Sequence, residues 1–295
     1  MENLRGIVLM VASMAGFAVE DMFIKWAAAD VPTGQILLLI SLVGTPIFAV
    51  MARQQGALFW SRDALQGSVI WRNAGEMVGT AGFVTALALT PLTSVAAIFQ
   101  ATPLAVTFGA AVFLGETVGW RRWTAILVGF CGVVLIIRPG MEGFDINSLW
   151  AILAVVGLSI RDVATRRIPR SISTMQLAAW GFAAVGILGA GMLALSGGAV
   201  WLTGAQMGYI GGALTFGIAA YWAITQASRL GEMSVITPFR YSRLLFALFI
   251  GALVFGERPD VITLSGAALI IGSGLYTFAR ERLRKRALSI TAPSR

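Results

Sequence analysis

Phe17-Ala18-Val19-Glu20-Asp21-Met22-Phe23-Ile24-Lys25 lies over Leu158-Ser159-Ile160-Arg161-Asp162-Val163-Ala164-Thr165-Arg166 at an offset of 141 residues. Asp21 falls on Asp162, and Lys25 on Arg166. The same offset lays Phe108…Gly115-Glu116 over Phe249…Gly256-Glu257. Each quoted stretch is an apolar run with charges set into it, so the pair reads as one unit used twice.

The rest of the chain agrees with that reading. Of 295 residues, 57% are hydrophobic and 12% charged, and mean hydropathy is +0.81. Soluble domains run about 45–50% apolar and about 25% charged. A bilayer span takes about 20 mostly apolar residues, so ten spans use roughly 200 and leave too few for a separate soluble domain. A soluble enzyme, a nucleic-acid binder and a single-pass receptor are thereby excluded. Cys131 is the sole cysteine, so no intramolecular disulfide forms, and there is no histidine for zinc or imidazole acid–base chemistry. No metal or other cofactor is expected. The first apolar stretch runs on past Ser13-Met14-Ala15 into Glu20-Asp21, which reads as a retained span rather than a cleaved leader.

Ten helices are predicted, at about 4–27, 31–52, 69–90, 94–115, 122–138, 147–167, 173–195, 205–229, 234–255 and 260–280. Thr90-Pro91-Leu92-Thr93-Ser94 breaks one long charge-free run, and Ser196-Gly197-Gly198 through Thr203-Gly204 breaks another. Residues 1–141 form a first five-helix repeat, 142–282 a second, and 283–295 a basic cytoplasmic tail. Five is odd, so the second copy is inverted across the membrane. Inverted repeats of this kind recur in secondary transporters, with the substrate held near the midplane between them.

Net charge is +8, and the positive residues set the orientation. With the N-terminus inside, cytoplasmic segments carry Arg5, Arg53, Arg62, Arg121, Arg122, Arg166, Arg167, Arg170, Arg229, the Arg280–Arg286 cluster and Arg295. The outer loops carry Lys25, Arg138 and Arg258. Both termini are therefore expected in the cytoplasm, and the fold is all-α integral membrane, two inverted halves around a central cavity.

At this point the chain resembles the drug/metabolite transporter superfamily, and within it the ten-helix exporters with two EamA-type halves. Pro103 with Leu114-Gly115-Glu116, Phe255-Gly256-Glu257, and Gly129, Gly132, Gly266 and Gly272 carry the resemblance. The overall pattern is also similar to the aromatic amino acid exporters of that group. One departure stands out: Leu244 occupies the repeat position of Pro103, and Pro238 comes earlier. The resemblance implies a bacterial inner-membrane exporter of small metabolites, amino acids first, with aromatic and apolar ones favoured.

Charged side chains within spans are costly and are functional candidates by default. Arg72, Asn73 and Glu76 share the third helix, where Arg72 and Glu76, four apart, can pair. Glu76 is either an interfacial partner of Arg72 or a cavity group for an ammonium or a proton. Arg240 and Arg243 follow Pro238, which can open the ninth helix. They suit a substrate carboxylate or a salt bridge to Glu232, Asp162 or Glu76. Glu20, Asp21 and Lys25 at one mouth, and Arg161 and Asp162 at the other, read as gates or proton carriers, or as snorkelling side chains. Gln100, Thr102, Tyr221, Trp222, Thr225, Tyr241 and Ser242 are the uncharged binding candidates, and Tyr221, Trp222 and Tyr241 offer either stacking or plain packing. Glu116 and Glu257 read as structural loop residues. Gly75-x-x-x-Gly79 and Gly208-x-x-x-Gly212 are small-residue packing motifs.

The expected partners are a small-molecule substrate and the lipid bilayer, with no nucleic acid; the glycine faces are compatible with a monomer. A zwitterion suits Glu76 for its ammonium and Arg240 for its carboxylate. Competing readings are a proton-coupled multidrug exporter of organic cations, an uncoupled facilitator and, more remotely, a membrane-embedded transferase.

Overall fold

The computed structural model describes residues 2–141, 144–230 and 233–291. Its elements are α1 (Glu2–Ala27), α2 (Thr33–Gln54), a 3-10 turn (Arg62–Leu65), α3 (Gly67–Leu89), α4 (Leu92–Phe99), α5 (Thr102–Phe113), α6 (Trp120–Ile137) and α7 (Ser148–Thr165). Then come α8 (Thr174–Leu195), α9 (Gly204–Leu230), α10 (Met233–Ile236), a second 3-10 turn (Thr237–Tyr241), α11 (Ser242–Val254) and α12 (Val261–Thr291). Among the described residues there is no strand. Nine helical segments there are long and apolar enough to cross a membrane. The third helix, α3, is not one of the nine; Arg72, Asn73 and Glu76 lower its hydropathy.

The fourth and ninth expected spans are each interrupted, at residues that correspond under the 141-residue offset. Between α4 and α5, Pro103 has no N–H to return to Phe99 O. The hydroxyl of Thr102 takes that carbonyl instead, at 2.6 Å. In the ninth, Pro238 lies in the 3-10 turn, and Ser242 Oγ donates to Phe239 O at 2.7 Å. The carbonyl freed by Pro103 has no water to turn to inside a membrane, so the neighbouring Thr102 hydroxyl is the available donor; Phe239 O also takes the backbone N–H of Ser242. Both interrupted spans end alike: Gly115 and Gly256 adopt left-handed φ of 68° and 64°, a conformation that a Cβ disfavours.

Helices pack in pairs: α1 on α9, α3 on α7, α2 on α8 and α6 on α12. Under the offset α1 maps to α7 and α3 to α9, so the first two pairs exchange, and the other two map onto themselves. Glycines set how closely the pairs approach. A methyl on Gly75 would lie 2.6 Å from the amide nitrogen of Arg161, and one on Gly79 2.7 Å from that of Leu158. On α2 and α8, Gly34 faces Gly189 O at 2.8 Å on the same measure; on α6 and α12, Gly132 faces Gly266 O at 2.6 Å. Of the two expected packing motifs, Gly75-x-x-x-Gly79 is used at both glycines. Gly212 meets Phe23, whereas Gly208 faces open space.

The helix expected to stop near residue 280 continues as α12 to Thr291. Residues 292–295 of the expected tail, Glu232, and residues 142–143 at the expected repeat boundary lie outside the described residues.

Candidate functional site

The close crossing of α3 and α7 brings four charges into one chain of contacts. With no side chain at Gly75, the backbone of Arg161 comes up against α3. Arg72 Nη2 then donates to Glu76 Oε2 at 2.8 Å, and Arg161 Nη1 to Glu76 Oε1 at 3.1 Å. Arg161 Nε reaches Asp162 Oδ1 at 2.8 Å. Asn73 Oδ1 accepts from Arg72 Nη1 at 2.9 Å, and Thr80 Oγ1 donates to Glu76 Oε1 at 3.4 Å. Cation and anion alternate from Arg72 to Asp162, which is how such groups are tolerated away from water. Both oxygens of Glu76 are engaged by guanidinium groups. The expected ammonium ligand is therefore occupied, because α7 brings a second arginine that helical spacing on α3 alone does not reveal.

A second cluster joins α1 to α11. Arg243 donates to Asp21 through Nε (3.1 Å to Oδ2) and Nη2 (2.8 Å to Oδ1 and to Oδ2). Asp21 is 1% exposed. The guanidinium carbon sits 5.2 Å from the ring centres of Phe17 and Phe83 and 4.9 Å from that of Phe99. Aromatic faces favour a cation at such distances. Sequence reasoning offered Arg243 the acids Glu232, Asp162 and Glu76; the partner comes from the opposite half of the chain. The three phenylalanines carried no signal that separates them from packing residues. Beside this pair, Glu20 has no hydrogen bond or ion pair among the described residues, and its carboxylate lies against Gly217 of α9.

Arg240 is different again. It lies in the 3-10 turn, is exposed, and has no hydrogen bond or ion pair among the described residues. Asp162, Arg161 and Arg243 lie within its electrostatic reach. Asp162 uses one oxygen on Arg161; its other oxygen accepts nothing among the described residues, and its side chain is 33% exposed. Arg240 and Asp162 are thus a cation and an anion that share one field and keep unfilled hydrogen-bonding positions.

The remaining candidates fall into three places. Tyr221 lies within electrostatic reach of Arg72, Glu76 and Arg161, and its ring meets Phe48 edge-on at 4.9 Å. Thr225 bonds back to Tyr221 O at 2.8 Å, and Trp222, one position round the helix, is 51% exposed. Gln100 and Thr102 are buried at the break in the fourth span; Gln100 Nε2 donates to Tyr241 O at 3.1 Å. Ser242 is turned to its own helix through Phe239 O. The Tyr241 side chain is directed onto α12, with its hydroxyl against Gly274 and its ring edge-on to Phe278, so it is a packing group here rather than a stacking platform.

Lys25 caps a helix. Its Nζ donates to Leu87 O at 3.1 Å and Thr90 O at 2.6 Å, at the end of α3, where a cation meets unpaired carbonyls. Glu257 accepts from the amides of Leu92 and Thr93, at 2.7 and 2.9 Å, at the start of α4, where an anion is favoured. The two fix the Thr90-Pro91 corner from both sides. Glu116 accepts from Arg166 at 2.6 Å, and Arg167 reaches Phe113 O at 2.6 Å.

Three comparisons bear on what this arrangement serves. A family model described as the EamA-like transporter family matches the chain twice, at residues 4–138 and 146–279. A riboflavin transporter of Rhizobium johnstonii is 28% identical over 73% of this chain and 72% of its own length. An S-adenosylmethionine uptake transporter of Rickettsia prowazekii is 23% identical over 95% of this chain and 94% of its own. The pseudopaline exporter CntI of Pseudomonas aeruginosa is 25% identical over 90% and 93%. One solved crystal structure shares the fold, with a TM-score of 0.63 at 21% identity, covering 94% of this chain and 98% of that one.

Proposed function

The chain belongs to the EamA-like transporter family, and from that premise we propose that it is a secondary carrier of small carboxylate-bearing metabolites, amino acids first among them. In this reading Arg240 takes the substrate carboxylate through its guanidinium fork, and the free oxygen of Asp162 takes an ammonium. The observation that carries it is the exposed Arg240 on an interrupted span, without a partner among the described residues and within the field of Asp162. A charge in that setting is costly unless something binds it, and a carboxylate matches its donor geometry. Tyr221, within electrostatic reach of Arg161, and Asn73, bonded to Arg72, would offer a ring and an amide to the rest of the substrate in this reading.

Two inverted halves, residues 1–141 and 142–282, would rock about this site to open it to each side in turn. The exchange of the α1–α9 and α3–α7 pairs under the 141-residue offset supports that reading, as does the double match of the family model. We place both termini in the cytoplasm of a bacterial inner membrane on the distribution of arginines. Export is the proposed direction, as for the pseudopaline relative; the uptake relatives make net influx the opposing result. An organic-cation exporter built on Glu76 is disfavoured because both oxygens of Glu76 already hold arginines.

The test is uptake of a labelled amino-acid panel into proteoliposomes. Saturable movement of apolar or aromatic amino acids, inhibited by unlabelled substrate, is expected. No movement of any amino acid, with competition by quaternary ammonium compounds in a cation assay, would return the organic-cation reading.

A further inference from the structure

The geometry points to Glu20 as a proton-binding site separate from the substrate site, coupled to it through Arg243. This rests on the carrier reading above and adds the ion it is linked to. Glu20 and Asp21 are neighbours on α1, and the charged groups that reach Glu20 are Asp21 and Arg243. From α11 it is faced by Arg243, and from α9 by Gly217 and the uncharged stretch around Phe216. From α3 and α4 the groups nearest the guanidinium are the rings of Phe83 and Phe99. One cation therefore serves two carboxylates.

Asp21 holds that cation. Three hydrogen bonds run to it, and three rings enclose the guanidinium. Glu20 is left beside a like charge, with no donor among the described residues and with its carboxylate filling the space that a side chain at Gly217 would take. A carboxylate within a membrane span, without a partner and next to a second carboxylate, is relieved of its charge most readily by a proton. The step is simple in balance: water on one side supplies a proton to a Glu20 oxygen, and water on the other side receives it. The other acids are less suited. Glu76 and Asp162 are already joined to arginines, and Glu257 is committed to the α4 amides.

Coupling follows from the chain of groups. Arg243 and Arg240 lie three residues apart in one segment and within each other's field. When Glu20 loses its proton it competes with Asp21 for Arg243, and any shift of that guanidinium is felt at Arg240.

Infrared spectra of the purified full-length protein provide a test independent of transport. The wild type at neutral pH is expected to show the carbonyl stretch of a protonated carboxylic acid. That band is lost in Glu20→Gln. It is also lost in Asp21→Asn, because Arg243 then becomes available to an ionised Glu20. A Glu20→Asp variant, which keeps a carboxyl, retains a shifted band and guards against misfolding of the amide variant. A wild type without the band, or a band that survives in Glu20→Gln, overturns the proposal. In proteoliposomes, Glu20→Gln is expected to keep substrate counterflow and to lose the response to an imposed pH gradient; a retained response also overturns it. Absence of all flux in the wild type would strike the carrier reading, while the infrared result would still decide the proton site.

Discussion

Gln100 donates its side-chain amide to the backbone carbonyl of Tyr241, at 3.1 Å, across a separation of 141 residues. That separation is the repeat offset read from the sequence, so the two residues are each other's counterparts. They meet where both interrupted spans break. Gln100 is 6% exposed, and a carbonyl in such a place has few alternative donors. Gln100→Leu is expected to lower the thermal midpoint of the detergent-solubilised protein, in line with about 1–3 kcal/mol for an orphaned buried acceptor. An unchanged midpoint would mean that the contact is incidental.

The crossing of α3 and α7 depends on absent side chains. A methyl at Gly79 would meet both the backbone and the side chain of Leu158, at 2.7 and 2.6 Å. Gly79→Leu is therefore expected to prevent recovery of folded, monodisperse protein, whereas Gly208→Leu, in open space, is expected to leave it intact. Size-exclusion profiles of the two variants compare them directly.

Glu76 joins two arginines, so its removal leaves both without their shared anion. The Glu76 side chain is 17% exposed, and loss of one member of such a buried set costs about 3–5 kcal/mol. Glu76→Gln should unfold at markedly lower temperature. Glu76→Gln combined with Arg161→Gln should be less damaging than the sum of the single changes, because the double variant removes one stranded charge. Additive losses in a double-mutant cycle would argue against a connected network.

Asp260 precedes α12 and is held by Arg138 and by Thr263. Hydrogen bonding to Arg138, then to the Thr263 amide, keeps its carboxyl well below the usual carboxylate range. A lowered value in the folded protein means stability that is present above the ordinary carboxylate value and is lost as pH falls below it. The difference in thermal midpoint between wild type and Asp260→Asn should be constant near neutrality and close in acid. A difference that widens in acid would reverse the assignment.

The sequence was most informative where a residue's effect is local. The spans at α1, α2 and α8 lie within a few residues of expectation because long apolar runs declare themselves. Pro238 signalled the interruption of the ninth span, since a missing N–H acts on its own helix; the break before Pro103 was not expected, as the fourth span reads from the sequence as continuous. Pairings across helices were less legible. Nothing in the spacing of Arg243 points to Asp21, and nothing on α3 alone tells that Arg161 will arrive beside Glu76. Lys25 and Glu257 looked like a gate residue and a loop residue; which carbonyls and amides they cap is set by where α3 ends and α4 begins. Tyr221, Trp222 and Tyr241 could not be sorted by depth alone, because one helical step of about 100° separates the half-buried Tyr221 ring from the exposed Trp222.

The most direct test of the carboxylate reading compares three ligands in wild type and Arg240→Gln proteoliposomes: a transported amino acid, the amine that lacks its carboxylate, and the acid that lacks its amine. Because Arg240 is exposed and without a partner among the described residues, its replacement should leave folding unchanged. The wild type is predicted to compete with the amino acid and the acid and to ignore the amine. Arg240→Gln is predicted to weaken competition by both carboxylates by about tenfold or more, the equivalent of about 1.4 kcal/mol. Equal competition by the amine in the wild type, or undiminished carboxylate competition in Arg240→Gln, would contradict the account.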